Sequence, residues 1–315
     1  NLIIGNNACG KTFLLKALYC AVRTIETSGR GHDPKTAEEI LADRLYWTFQ
    51  PGKNGLGELV TKGRQGNLEF EVIGDKTEQV FNFAFGPDTE KKIGKLKNSF
   101  PPRDENSIFL PAKEVLSLFH IIEKSREIDK VFGFDDTYLE LVKALKIATS
   151  QGKNYESFAN ARKRLETMLE GKVSYENEEW QFKKANTRFS IHAASEGVKK
   201  IAILDRLLGN RYLSVGSVIF IDEPESALHP SALIQFLEIV AELAKDGIQF
   251  FIASHSYYVI KKMLLIAQGQ LMSIPFLSLD KDGYKYDNLL TGMPQNNIIA
   301  ESVKLYEEES EQAFK

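Results

Sequence analysis

Short apolar runs bounded by turn residues alternate with stretches in which apolar positions recur every three or four residues, the pattern of an α/β protein. Leu2, Ile3 and Ile4 form one such run and lead into a helical pattern at Leu14, Leu18, Ala21 and Ile25. Asn1 to Ile4 reads as the second half of a strand, so sequence is expected ahead of Asn1. Leu68–Ile73, where Leu68, Phe70 and Val72 alternate with polar neighbours, and Gln79–Phe85 flank Gly74-Asp75-Lys76 and predict a hairpin; Ser107–Leu110 predicts another strand. From Tyr138 to Leu169 the pattern is helical, with Leu139, Val142 and Leu145, then Phe158, Leu165 and Leu169, around a break at Gln151-Gly152. Ser217–Ile221 predicts a strand buried on both faces. A helix follows (Leu233, Phe236, Leu237, Val240, Leu243), closed by Asp246-Gly247, and then a second buried strand, Ile248–Ala253. Ile274–Leu279 predicts a last strand, before a Lys-Asp-Gly turn and a charged tail around Glu307 to Glu311.

At 315 residues, 43% hydrophobic and 26% charged, the composition is that of an ordinary globular chain with room for one large domain or two lobes. A formal charge of -3 leaves a nucleic-acid partner neither supported nor excluded. Cys9 and Cys20 are too few for a disulfide scaffold, and neither a signal-peptide pattern nor an apolar run of membrane-spanning length appears, so a cytoplasmic protein without a membrane partner is expected.

The chemistry concentrates in a few segments. Residues 5–12 read GNNACGKT, which fits GxxxxGK[ST] between a strand and a helix. Gly5 and Gly10 permit a tight turn, so that the backbone of Gly5, Asn6, Asn7, Ala8, Cys9 and Gly10 and the following helix N-terminus face phosphate oxygens. Lys11 would neutralise the terminal phosphates, and the Thr12 hydroxyl would hold Mg²⁺. Asp222-Glu223-Pro224 ends the buried strand: Asp222 would hold Mg²⁺ through water and Glu223 would orient or deprotonate the attacking water, although Asp-Glu-Pro also makes a strand-to-helix turn. His255, just past the next buried strand, is placed to reach a terminal phosphate. Ser195 reads as the N-cap of a helix continuing at Ile201, Leu204, Leu207 and Leu208. The basic cluster Arg162-Lys163-Arg164, with Lys183-Lys184 beyond, reads either as a phosphate-contacting surface or as a solvated face.

In the order GNNACGKT, ASEGVKK, VIFIDEPESALHP, IASHS, the chain resembles the ABC-type ATPases, and among them the bacterial RecF-like and OLD-like branch that includes the Septu defence ATPases. The resemblance spans nearly the whole chain. It implies an α/β P-loop NTPase of ABC-ATPase type with an antiparallel β-lobe and a compact helical insertion. The implied divisions are an N-terminal ATPase lobe over 1–118, the insertion over 119–192 and a C-terminal ATPase lobe over 193–315. It places Asp222 on the Walker B aspartate, Glu223 on the catalytic glutamate, Ser226 to His229 on the D-loop and His255 on the switch histidine. Gln50, before Pro51, is the candidate Q-loop glutamine that completes the Mg²⁺ shell. Ser195 and Gly197 remain of the signature motif, whereas Ala194 and Glu196 depart from it. The family arrangement implies ATP and Mg²⁺ as cofactors and a head-to-tail homodimer, or a larger assembly of dimers, with ATP at the interface. OLD nucleases carry a Toprim domain after the ATPase, and no such acidic lobe is read here, so a separate nuclease or toxin is the expected effector, with DNA or RNA as a further candidate partner. The expected function is an ATP-hydrolysing subunit of an antiphage defence system; a RecF-like DNA repair clamp is the alternative, and a transporter subunit lacks its LSGGQ signature.

Overall fold

The computed structural model describes residues 1–28, 30, 35–61, 66–149, 156–280 and 283–313; the expected break at Gln151-Gly152 and the first two residues of the Lys-Asp-Gly turn lie outside them. In chain order the elements are β1 (Leu2–Gly5), α1 (Lys11–Thr27), α2 (Ala37–Phe49), β2 (Leu68–Ile73), β3 (Val80–Phe85), β4 (Lys95–Asn98), β5 (Ser107–Leu110), α3 (Phe119–Glu123), α4 (Asp136–Lys146) and α5 (Glu156–Leu169). They continue with β6 (Lys172–Glu176), β7 (Glu179–Lys184), β8 (Thr187–Ser190), α6 (Glu196–Gly209), β9 (Val218–Asp222), α7 (Pro230–Lys245), β10 (Gln249–Ser254), α8 (Tyr257–Gly269), β11 (Pro275–Asp280), β12 (Gly283–Asn288) and α9 (Asn297–Ala313). No described helix is long and apolar enough to cross a membrane.

The residues fall into two compact units. Asn1–Leu15, Leu110–Leu118 and Ala144–Lys315 form the first; Lys16–Phe109 and Phe119–Lys143 form the second. One boundary between the units falls after Leu118, and residue 192 lies inside the first unit. The main sheet has strand order β12-β11-β1-β10-β9-β5. β1 runs parallel to both β10 and β11, and β10 runs parallel to β9. All of Leu2–Gly5 and Val218–Asp222 are buried, which accounts for unbroken apolar runs where a half-exposed strand would alternate. Ser107–Leu110, the strand expected there, is equally buried and forms the edge of this main sheet.

The second unit holds the antiparallel sheet β2-β3-β4. Its hairpin is the predicted one, with Phe81, Phe83 and Phe85 turned into a core shared with Cys20, Ile25, Leu41 and Leu45. The third strand, Lys95–Asn98, is charged and mostly exposed, and so carries no apolar signal.

Within residues 119–192 the helices are followed by a three-stranded antiparallel sheet, β6-β7-β8, in the first unit. The sequence reading gave a compact helical insertion there and did not include this sheet. The turns hid the sheet: Asn177, Glu178 and Ala185 have φ of 52°, 64° and 51°, left-handed positions that glycine usually marks.

In the second unit Glu140 of α4 is the counter-ion for two helices. Its Oε2 lies 2.8 Å from Arg23 Nε and its Oε1 2.6 Å from Arg44 Nη1, and the Tyr19 hydroxyl donates to it as well. Burial by itself would raise this carboxyl, but Arg23 and Arg44 outweigh it and hold the group down at about 2. Because the folded value lies below the ordinary 4.5, the associated stability is present above that value and is lost as pH falls towards 2. Glu140→Gln should cost about 3–5 kcal/mol at neutral pH by taking the paired anion from the buried Arg44 guanidinium and leaving Arg23 with Glu26 alone. The variant should also lose less stability than wild type between those two pH values; urea unfolding curves across the range measure both.

Candidate functional site

The parallel register brings the ends of three strands to one edge of the sheet. Ile4 lies opposite Ser254, and Ala253 lies opposite Asp222, so Gly5, His255 and Glu223 all stand just beyond the ladder. In open α/β sheets this carboxyl edge is where ligands bind.

The glycine-containing loop folds as its sequence requires. Gly5 has φ of +153°, and a Cβ there would lie 2.4 Å from Leu279 O. Gly10 has φ of +94°. Ala8 also takes the left-handed region, at φ of 61°, at a cost of about 1–2 kcal/mol for a residue with a Cβ. The first turn of α1 carries N–H groups without intrahelical acceptors, a ready anion site directly after the loop. Lys11 is 6% exposed, and its ammonium donates to Gly5 O at 2.9 Å and Asn6 O at 2.8 Å, with Cys9 Sγ at 3.9 Å. Thr12 Oγ1 donates to Asp222, 3.1 Å from Oδ1 and 3.0 Å from Oδ2. Two segments 210 residues apart thus meet through hard oxygen donors.

At the acidic end, Glu223 is itself left-handed, with φ of 48°. Its N–H extends the ladder to Ala253 O at 2.9 Å, and its carbonyl accepts from Ser226 N–H at 3.0 Å and from the Lys200 ammonium at 2.8 Å. His255 Nδ1 stands 3.2 Å from Glu223 Oε1 and 3.6 Å from Glu225 Oε1. These distances give electrostatic pairing when the imidazole is protonated, without the alignment of a hydrogen bond. Glu225 Oε1 also accepts from Ser254 Oγ at 2.9 Å and from His255 N–H at 3.1 Å. Glu225 therefore holds the histidine segment in place, a role the sequence reading missed. Lys200 was missed too. Burial lowers its ammonium to about 8 against the opposing pull of Glu225, Asp222 and Glu223. A signal existed: Lys200 lies four, seven and eight residues before Leu204, Leu207 and Leu208, on the apolar face of α6.

Ser195 caps α6, its exposed hydroxyl accepting from Val198 N–H at 3.4 Å. Gly197 packs against the segment after Glu223, where a Cβ would lie 2.9 Å from Ala227 O.

Gln50, the candidate for the Mg²⁺ shell, is held by the backbone. It ends α2 with φ of 47°, its Oε1 accepts from Gly133 N–H at 2.9 Å and its Nε2 donates to Phe134 O at 2.7 Å, so both ends of the amide serve the backbone of the second unit. The basic cluster is likewise largely neutralised. Arg162 pairs with Asp205 at 3.1 Å, Arg164 with Glu238 at 2.8 Å and Glu242 at 3.0 Å, and Lys184 with Glu170 at 2.6 Å.

Residues 1–261 match a family described as "AAA domain, putative AbiEii toxin, Type IV TA system". No curated protein matches the chain. Among solved structures, a Smc head bound to the C-winged helix domain of ScpA aligns over 91% of this chain and 89% of its own at 13% identity and a TM-score of 0.48. The SMC head domain from Thermotoga maritima covers the same shares at 13% identity and a TM-score of 0.41. A dimeric ATP-binding cassette in a post-hydrolysis state with ADP and Pi covers 91% and 84% at 13% identity and a TM-score of 0.36.

The two cysteines differ in a way that tests the loop. Cys20 is fully buried and its thiol is pushed up to about 12 by that burial, whereas Cys9 is partly accessible beside Lys11. N-ethylmaleimide should label Cys9 alone in the native protein and block ATP binding. ATP about a hundredfold above its Kd should slow the labelling by about that factor. Peptide mass spectrometry reads both, and equal labelling with and without ATP would remove the loop from the nucleotide site.

Proposed function

This chain belongs to that AAA-domain family and is an ATP-hydrolysing enzyme of the ABC-type P-loop class, and on that premise we propose that it is the ATPase subunit of a bacterial antiphage defence system. In this reading ATP drives a head-to-tail dimer, the unit of any larger assembly, which senses nucleic acid or controls a separate nuclease or toxin. The observation that carries the switching part is the grouping of Glu223, Glu225 and His255 at the carboxyl edge, beside the loop of Gly5 to Thr12. The family description, which names a toxin–antitoxin system, favours the defence role over a repair clamp. We assign the protein to the cytoplasm, where its nucleotide is available.

The residues fit the roles as follows. The loop N–H groups and the start of α1 bind the phosphates, and Lys11, leaving the carbonyls of Gly5 and Asn6, turns to the terminal phosphate. Thr12 and Asp222 supply the hydroxyl and carboxylate that suit Mg²⁺. When bound, Mg²⁺ would neutralise charge on the phosphate oxygens. Glu223, 35% exposed at its side chain, accepts the proton of the attacking water, and His255 contacts the terminal phosphate and registers its loss. Ser195, exposed at the tip of α6, meets the nucleotide held by the other copy. Gln50 has no part in this proposal, since its amide is engaged elsewhere.

Glu223→Gln should retain ATP binding, lower kcat by about 10²–10⁴-fold and accumulate the ATP-bound dimer. Turnover at the wild-type rate would rule out Glu223 as the base. Ser195→Arg should leave the thermal unfolding midpoint of the subunit unchanged while abolishing the ATP-dependent mass increase in sedimentation. A dimer that still forms would refute the head-to-tail arrangement. Co-purification from the native host with a nuclease or toxin supports the defence role, whereas ATP-dependent binding to gapped duplex with no protein partner would replace it with repair.

A further inference from the structure

Buried lysines are uncommon and need compensation. Lys200 is only 9% exposed, on the apolar face of α6, yet among the described residues no carboxylate forms an ion pair with it. Its ammonium donates to two main-chain carbonyls, Glu223 O at 2.8 Å and Ser226 O at 3.4 Å. The neighbouring Lys199 turns elsewhere, to Ser117 Oγ at 2.7 Å with Glu114 at 4.0 Å, so the two lysines are not interchangeable.

The carbonyl that Lys200 holds belongs to a strained residue. Glu223 has φ of 48° and Ala227 φ of 65°, so the Pro224-containing segment between them is bracketed by two non-glycine residues in the left-handed region. Such a conformation persists only where its surroundings over-determine it. For Glu223 the surroundings are three bonds to its own backbone: N–H to Ala253 O, carbonyl from Ser226 N–H, and carbonyl from Lys200. The first two are main-chain bonds that any residue types would make. The third depends on a side chain. The direction of the Glu223 carboxylate, which stands 3.2 Å from His255 Nδ1, follows from that backbone twist.

We infer that Lys200 is a positioning residue for ATP hydrolysis: from behind the sheet edge it clamps the left-handed backbone of Glu223 and so aims the carboxylate that takes the proton of the attacking water. The inference rests on Glu223 being that base. In this role Lys200 acts through the backbone of Glu223. It faces Asp222 and Glu223 from the end of β9 and Glu225 from the segment beyond, and Glu225 in turn anchors His255. Removing the clamp lets the carboxylate rotate away while the loop of residues 5–12, which makes no bond to Lys200, goes on binding nucleotide.

The test compares Lys200→Met, Lys200→Arg and Glu223→Gln with wild type by steady-state ATP hydrolysis, by equilibrium binding of a fluorescent ATP analogue and by thermal unfolding. Lys200→Met should lower kcat by about 10–100-fold with analogue affinity within about twofold of wild type. Lys200→Arg, which keeps a donor at the carbonyl, should recover a large part of kcat. A Lys200→Met kcat within about twofold of wild type, alongside an inactive Glu223→Gln, overturns the clamp and leaves the base in place. Normal turnover by Glu223→Gln overturns the base instead. If both lysine variants lose folding, or lose affinity in step with kcat, Lys200 is a structural residue and the inference fails.

Discussion

Everything at the site depends on the parallel pairing of β1, β10 and β9 in one register. Ile3, Ala253 and Asp222 lie in one row across the three strands. Successive side chains of a strand point to opposite faces, so a slip of a single residue would exchange Asp222 with Glu223 and carry the carboxylate away from Thr12. Burial makes that slip expensive. Val218 to Ile221 are covered on both faces, and displacing the strand would draw a carboxylate into an apolar layer. The hydrophobic run is therefore what separates the two acidic residues into two positions, one bonded to the Thr12 hydroxyl and one facing His255.

That register also concentrates charge. Asp222, Glu223 and Glu225 follow one another within the turn, and their mutual repulsion in a partly dry setting is relieved from two directions. Lys200 approaches from α6, drawing on all three. Backbone and hydroxyl donors around Ser254 and His255 approach from β10, meeting Glu225. Glu225 keeps one oxygen, Oε2, buried without a hydrogen-bond partner. An acceptor in that condition carries a desolvation cost of about 1–3 kcal/mol, and it lies next to the histidine whose position the turn controls.

Much of this arrangement was legible in the sequence because it is local. A strand, a glycine-containing turn and a helix written in succession give the loop, and an apolar run ending in Asp-Glu-Pro gives the acidic edge. The hairpin of β2 and β3 announces itself by alternation. What was not legible depends on contacts between distant segments or on backbone left-handed without glycine. The β6-β7-β8 sheet turns at Asn177, Glu178 and Ala185, and its outermost strand β8 is exposed throughout, so neither turn chemistry nor alternation marked it. The bonds of the Gln50 amide, accepting from Gly133 N–H and donating to Phe134 O, reach 83 and 84 residues along the chain. The cluster at Arg162 to Arg164 met the acidic residues Asp205, Glu238 and Glu242 of two later helices.

The signature segment shows how such a motif can be partly kept. Of its positions, the two that match the family pattern, Ser195 and Gly197, each have a duty inside this chain. Ser195 satisfies the N–H of Val198 at the start of α6, and Gly197 leaves room for the carbonyl of Ala227, which any Cβ would crowd at 2.9 Å. Ala194 and Glu196 depart from the pattern and have no comparable constraint: Glu196 is exposed and, as an acidic residue in a first turn, suits the helix dipole. A serine at 195 and a glycine at 197 thus suit the capping of α6 and its packing against the Glu223 turn. The same packing fixes where the tip of α6 points, because Gly197 and Lys200 touch the two ends of that turn, Ala227 and Glu223. A helix held at both of those places cannot shift its exposed tip without moving Glu223.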